Sequence, residues 1–390
     1  MQDLASALAE RRRQQLYRER QALQGPQGVR VRIEGREYLS FCSNDYLGLA
    51  SHPALVAAFK EGAERFGVGS GAAHLVSGHS YAHQALEEEL ADFVRRPRAL
   101  LFSTGYMANL GVVTALTGRG DKVIEDRLNH ASLIDAALLA GAKLLRYRHN
   151  DVSALTARLS RAGSGTRLIA TDGIFSMDGD RAPLREIVSA AEASNAWLLV
   201  DDAHGFGVCA SDGRGWCAEQ LPDPGDSVIL MATLGKALGT FGAFVAGSEA
   251  LVDTLIQRAR SFIYTTAPPP AVAWATRAAL RLVREGGHLR ERLTELVARF
   301  RRGAAELALP VLASTTPIQP LLLGDAEPAL RLAEQLRRRG ILVTAIRPPT
   351  VPRGAARLRI TLSAGHEPEH VDWLLEALDH GLGGMADAVR

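Results

Sequence analysis

Between Ser51 and Ala275 the chain alternates helical patterning with short apolar runs: RALLF, DKVIED, AKLLRY, RLIAT, AWLLV, SVILMA and GAFVAG. Each run is continuously hydrophobic rather than alternating. That pattern suits strands buried on both faces, and helices between such strands connect them in parallel. The expectation is an α/β domain over residues 49–275, built on a seven-stranded, mainly parallel sheet. Ligands bind beyond the carboxyl ends of the strands in sheets of this kind. Here the polar residues collect at those ends: Ser103 to Tyr106, Asn129 and His130, Ser176, Asp201 to His204, and Thr233 to Lys236.

The flanking regions read differently. Residues 1–48 suggest an arm, with a basic amphipathic helix, a Gly/Pro turn at Gln24 to Gly28, and a strand pair in VRVRIEG and REYLSF. After APPPA at 267–271, arginine-rich helices lead to strands near IQPLLLG, ILVTAI and ARLRITL, a second, smaller α/β domain over residues 276–390.

Composition narrows the function classes. At 390 residues and 47% hydrophobic content there is material for a large core and a second domain. A net charge of +2, without a basic block interleaved with aromatics, argues against nucleic acid as a partner. MQDLASALAERRR lacks the apolar core of a signal peptide and no apolar run approaches a bilayer span, so a soluble cytoplasmic protein without a membrane partner is expected. Cys42, Cys209 and Cys217 form neither a paired framework nor a metal-ligand spacing, and read as packing residues. No metal is expected.

Lysine usage is sharper. Only four of the 45 basic residues are lysine, namely Lys60, Lys122, Lys143 and Lys236, so arginine serves wherever positive charge alone is needed. Three of the four occupy ordinary solvated positions. Lys236 lies in MATLGKALGTFGAF among glycines and apolar residues, where a charge is costly unless paired or chemically used. A lysine that forms a Schiff base needs such a partly desolvated setting between small residues. The plain alternative is a lysine whose stem packs on apolar surface while its amine reaches water.

The surroundings favour chemistry, with pyridoxal phosphate as the cofactor. Its ring nitrogen must stay protonated, and Asp201, at the strand end in LLVDDAHGFG, is placed to pair with it; His204 could reach the ring hydroxyl. Taken alone, Asp201 and Asp202 could equally be a loop cap or metal ligands. Gly105 and Tyr106, at a strand-to-helix turn, offer backbone amides to a phosphate. Thr233 and Ser176 add hydroxyls, and His130 could stack on the cofactor. Most such serines only cap turns, and a lone histidine there is more often a satisfied loop residue.

The set SNDYLGL at 43–49, DGIFSMDGD at 172–180, VDDAHGFG at 200–207 and TLGKALG at 233–239 resembles the alpha-oxoamine synthases, fold-type-I pyridoxal-phosphate enzymes. The likeness covers nearly the whole chain. It implies that Lys236 anchors the cofactor, Asp201 pairs with the ring nitrogen, His204 meets the ring oxygen and His130 stacks. Gly105, Tyr106, Ser176 and Thr233 match other cofactor contacts. Asn44 and Arg359 match positions associated with the amino-acid carboxylate, and Arg18 and Thr350 positions associated with the acyl substrate; the plain alternative for Arg18 is that Arg11, Arg12, Arg13, Arg18 and Arg20 form the solvated face of an N-terminal helix. The stretches at 345–366 and HNDV at 149–152 are similar to those of the biotin-pathway member, which implies L-alanine and a pimeloyl thioester as substrates. The alternative within the family is glycine or serine with another acyl thioester. An aminotransferase without an acyl site and a non-catalytic binding protein are the rivals outside it. The resemblance also implies a homodimer. One departure stands out: GSGAAHLVSGHS at 69–80 carries Ala72 and Ala73 where GSGGS is commoner, and a slightly altered loop is expected.

Overall fold

A computed structural model describes residues 3–387. Its contacts divide the chain into two compact units: Leu49–Ser176 with Arg181–Arg290, and a second unit made of the chain up to Gly48, Met177–Asp180, and the chain from Glu291 onward.

In the larger unit all seven apolar runs are strands of one sheet. Their order is Arg98–Phe102, Ala243–Gly247, Val228–Thr233, Trp197–Asp201, Arg167–Asp172, Lys122–Asp126 and Lys143–Tyr147. Only Ala243–Gly247 runs against its neighbours. Central strands have no solvent face: Leu168, Ile169, Leu198, Leu199, Val200 and Ile229 are all fully buried. Burying one such side chain contributes about 1.5–3 kcal/mol, which is why continuous apolar runs settle here rather than at the surface. The sheet is in register such that Asp172 lies opposite Asp201. Three neighbouring strands therefore end on aspartate, at Asp126, Asp172 and Asp201.

The helix Pro270–Glu285 belongs to this unit, so the division falls at Arg290 and Glu291 rather than between 275 and 276. It packs on Pro53–Phe66 and Tyr81–Val94. Gly62 permits the approach, because a Cβ there would stand 2.9 Å from Ala271 Cα and from Trp274 Cβ.

The smaller unit holds two three-stranded sheets. Arg30–Ile33 pairs antiparallel with Arg36–Ser40, which pairs in parallel with Ile341–Leu342; Ala356–Thr361 lies between Ile318–Gly324 and Thr344–Ile346. The expected strand ILVTAI is thus two short strands in different sheets. Residues 1–48, read from the sequence as a separate arm, share one unit with the C-terminal segment. The N-terminal helix, Leu4–Arg13, buries no side chain and stops before Arg18 and Arg20. Among the described residues no helix is long and apolar enough to cross a membrane.

Candidate active site

At the carboxyl edge of the seven-stranded sheet, the loops after the strands enclose a cavity of about 190 Å³. Gly105, Tyr106, His130, Ser176, Asp201, His204, Thr233 and Lys236 all line it. These are the eight expected cofactor-site residues, drawn from five loops.

Each is positioned by local structure. Lys236 follows the strand Val228–Thr233 in a tight loop closed by Leu234 N–H donating to the Gly242 carbonyl at 2.8 Å and Gly239 N–H donating to the Lys236 carbonyl at 2.8 Å. Gly239 has φ +67°, and a Cβ on it would lie 2.4 Å from the Ala50 nitrogen, so only glycine closes this loop. The Lys236 amine lies 2.8 Å from His204 Nε2. Thr233 Oγ donates to the Gly242 carbonyl at 3.0 Å and accepts from Gly235 N–H at 3.3 Å, so it braces the same loop. Gly105 and Tyr106 open the helix Gly105–Leu116, capped by Thr104 Oγ accepting from Met107 N–H, and their own amides have no partner within the helix. The Tyr106 hydroxyl donates to Asp135.

Asp201 is buried at its strand end. Its two oxygens accept from Ala203 N–H at 3.1 Å and from the Asn109 amide at 2.8 Å. Asn109 also donates to Ser132 Oγ, which lies 2.8 Å from His130 Nδ1. A chain of side chains thus joins Asp201 to His130, which also caps the helix Ala131–Ala140. His130 is both a loop cap and a wall of the cavity.

The sequence reading missed Asp172, Ser132, Ala203 and Met231, which also line the cavity, and Asn109 behind them. Burial, and then the charge of Asp201 beside it, hold the Asp172 carboxyl well above the ordinary carboxylate range; His130 N–H and the charge of Lys236 oppose this. Two buried carboxylates facing one cavity call for a cation between them. A protonated pyridine ring nitrogen answers that demand, and the lysine amine and open helix N-terminus suit an aldehyde and a phosphate. The residues fit pyridoxal phosphate.

Asp202 is a different kind of group. It is fully buried, accepts from Cys217 N–H at 2.9 Å, and lies where a Cβ on Gly205 would stand 2.1 Å from its Oδ1. Burial pushes its carboxyl up to about 8 against the pull of that amide. A carboxyl raised by folding gives stability present in full below its unfolded value of about 3.9, and lost as pH rises through about 8. Asp202→Asn should therefore leave the cofactor absorbance intact and flatten the fall in melting temperature from about pH 4 to 8, by about 2–4 °C for each kcal/mol of linkage. Melting curves of parent and variant that run parallel across that range would refute this.

The remaining four expected residues lie in the smaller unit as two pairs. Buried Arg359 donates to Asn44 Oδ1 at 3.1 Å, and the Tyr46 hydroxyl donates to the same oxygen at 3.3 Å. Exposed Arg18 donates to Thr350 Oγ at 3.2 Å, and Arg347 donates to the Gln15 and Tyr17 carbonyls, fastening this segment. Arg18 and Arg20 are not part of a solvated helix face.

A family model described as aminotransferase class I and II matches residues 36–378. Curated relatives named 8-amino-7-oxononanoate synthase include that of Nitrosococcus oceani, 61% identical over 371 residues, which cover 95% of this chain and 98% of the relative. That of Methylococcus capsulatus is 61% identical over 376 residues, covering 96% and 97%. Among solved structures, a serine palmitoyltransferase from S. paucimobilis with bound PLP–myriocin aldimine is similar at a TM-score of 0.93 and 30% identity, over 100% of both chains. An 8-amino-7-oxononanoate synthase from Francisella tularensis is similar at 0.77 and 31%, over 90% of this chain and 99% of the other.

Proposed function

The chain belongs to the class I and II aminotransferase family and, within it, to the 8-amino-7-oxononanoate synthases; from that premise we propose that it joins L-alanine to a pimeloyl thioester, releasing carbon dioxide and the thiol. It is a pyridoxal-phosphate enzyme acting on an amino acid and an acyl substrate. The observation that carries the reading is the one cavity shared by Lys236, His204, Asp201 and His130. When bound there, pyridoxal phosphate supplies the electron sink that lets the amino acid lose its Cα proton.

The chain's own groups do the rest. Lys236 Nζ anchors the cofactor and then takes the Cα proton, with His204 Nε2 at 2.8 Å to aim the amine. Asp201 holds the proton on the ring nitrogen, and Ala203 N–H and Asn109 keep its oxygens directed. His130, fixed through Ser132, walls the cavity against water. Arg359, oriented by Asn44, binds the alanine carboxylate as a planar fork. A homodimer in the cytoplasm is part of this reading. Mass identification of the product from alanine or glycine, each offered with several acyl thioesters, tests it. A glycine adduct with a short acyl group as the main product would sink it.

Arg18 is assigned to the distal carboxylate of the pimeloyl chain, because taking that charge out of water requires a donor. It lies beyond the end of the N-terminal helix and donates to Thr350 Oγ. Arg18→Ala should raise KM for the pimeloyl thioester about tenfold, equivalent to about 1.4 kcal/mol, and leave alanine binding as it was. Equal use of pimeloyl and octanoyl thioesters by the parent would count against the assignment.

A further inference from the structure

Outside the cavity, the larger unit holds a second group of convergent side chains, His74, His79 and His83. No ligand spacing marks them in the sequence, because an irregular turn brings them together. His74–Gly78 is a π-helical turn, with Gly78 N–H donating to the Ala73 carbonyl at 3.0 Å, and such a turn stacks residues five apart. His79 follows it, and His83 lies in the first turn of the helix Tyr81–Val94. Gly78 is required, since a Cβ there would stand 2.0 Å from the Ala72 oxygen. The ring centre of His74 lies 5.2 Å from that of His79 and 5.1 Å from that of His83, and the last two are 5.7 Å apart. Three imidazoles on one tetrahedral ion, each nitrogen about 2.0–2.1 Å from it, set their ring centres roughly 5 Å apart.

Hydrogen bonds fix where the ring protons lie. The Gln84 amide donates to Glu88 at 2.7 Å, which turns the Gln84 carbonyl oxygen to His79, so His79 Nε2–H donates to it at 3.2 Å. His83 Nδ1 accepts from Ser80 N–H at 3.0 Å, so its Nε2–H donates to the Pro268 carbonyl at 2.8 Å. An imidazole that ligates a metal is held in this way, its other N–H given to a carbonyl or carboxylate. His79 Nδ1 in turn accepts from His74 Nδ1–H at 2.9 Å, which leaves His74 Nε2 buried without a partner. Buried ring nitrogens ordinarily have one, so plain core packing leaves this atom unexplained. Burial, and then the neighbouring rings, push His74 down to about 3, and burial lowers His83 as well, so at neutral pH both are uncharged and open to a metal.

We propose that His74, His79 and His83 hold a divalent transition-metal ion of the class of zinc, with water in the fourth position on the half-exposed His79 side. Imidazole ligands suit zinc, copper and nickel, whereas calcium and magnesium take oxygen. The ion replaces the proton between the two Nδ1 atoms, which part by about 0.4 Å to the roughly 3.3 Å of a tetrahedral pair. His74 then carries its proton on Nε2, so the count of unpartnered ring nitrogens does not rise. Ser80 N–H, released by His83, is half-buried and turns to water. The ion reinforces a joint already present, in which Ser70 Oγ donates to the Pro268 carbonyl and Ala267 N–H to the Ala72 carbonyl at 3.1 Å.

The test uses the holoenzyme, treated with a chelator and returned to metal-free buffer. Zinc titrated into it in a calorimeter should bind at one ion per chain, with a dissociation constant of about 1 μM or below. Cobalt(II) in its place should give the strong visible bands of a four-coordinate ion. His79→Gln and His74→Ala should each lower zinc affinity at least about a hundredfold and abolish those bands, while Gln84→Ala, at an exposed position outside the coordination sphere, should lower it about 10–100-fold. Cofactor absorbance equal to the parent's checks each fold. If His74→Ala does not fold, His79→Gln and Gln84→Ala decide the matter between them. The proposal is overturned by the absence of stoichiometric zinc on the parent, by equal affinity in the parent and His79→Gln, or by bound cobalt without four-coordinate bands.

Discussion

Lys236→Ala should remove the visible absorbance of covalently held cofactor and lower turnover by a factor on the order of 10³ or more. On the roles proposed for Lys236, two functions end with one side chain: the covalent anchor and the amine that moves the Cα proton. The fold should survive. Lys236 is only half-buried, and its loop is closed by backbone hydrogen bonds through Leu234, Gly239 and Gly242 that do not involve the amine. His204 Nε2 should lose the amine at 2.8 Å, and Asp172 the charge that opposes the rise of its carboxyl. Lys60→Ala, on the exposed face of Pro53–Phe66, is the control and should alter neither spectrum nor rate. A Lys236 variant with the parent's spectrum would remove the basis of the mechanism.

The strands of the large sheet were legible because the sheet is buried on both faces, and a continuous apolar run is the direct record of that burial. The lysine stood out for a compositional reason, since only four of the 45 basic residues are lysine and Lys236 alone of them lies among glycines and apolar residues. Boundaries were less so. The helix Pro270–Glu285 carries the same arginine-rich patterning as the helices after it, and its allegiance to Pro53–Phe66 depends on Gly62, which gives no periodic signal. Arg18 and Arg20 looked like the continuation of a basic helix, but that helix buries nothing that would extend it beyond Arg13.

Within the site, Asp172 and Asn109 were missed for different reasons. Asp172 stood in a quoted motif, and its role appears only when strand register sets it opposite Asp201. Asn109 is a polar residue on an otherwise apolar stretch of helix, four positions after Gly105. That spacing puts it on the helix face shared with Gly105, a signal that could have been used. Asp201 and Asp202 could be told apart by alternation, because successive residues leaving a strand point to opposite faces. Asp201 opens to the cavity and Asp202 into the packing around Gly205, Trp216 and Cys217.

Asp201→Asn should cost activity far more than stability. The introduced amide keeps one acceptor for Ala203 N–H, but sets an NH₂ against the Asn109 NH₂ that now donates to it. Rotation of the Asn109 side chain relieves this, because Asn109 Oδ1 has no partner of its own and can accept. Ser132 can reverse its hydroxyl to follow. Loss of the Asp201 charge also eases Asp172, whose carboxyl that charge helps to raise. The net change in stability should therefore stay within about 1–2 kcal/mol, a small shift in melting temperature. Catalysis has no such repair, since a neutral amide does not hold a proton on the ring nitrogen and the electron sink weakens. Turnover, followed by thiol release, should fall by a factor on the order of 10² to 10⁴, the range of a lost proton-holding group, while the protein still takes up cofactor. Turnover within tenfold of the parent would mean that Asp201 is not the partner. The next carboxylate to change would then be Asp172, which faces the same cavity, rather than Asp202, which does not.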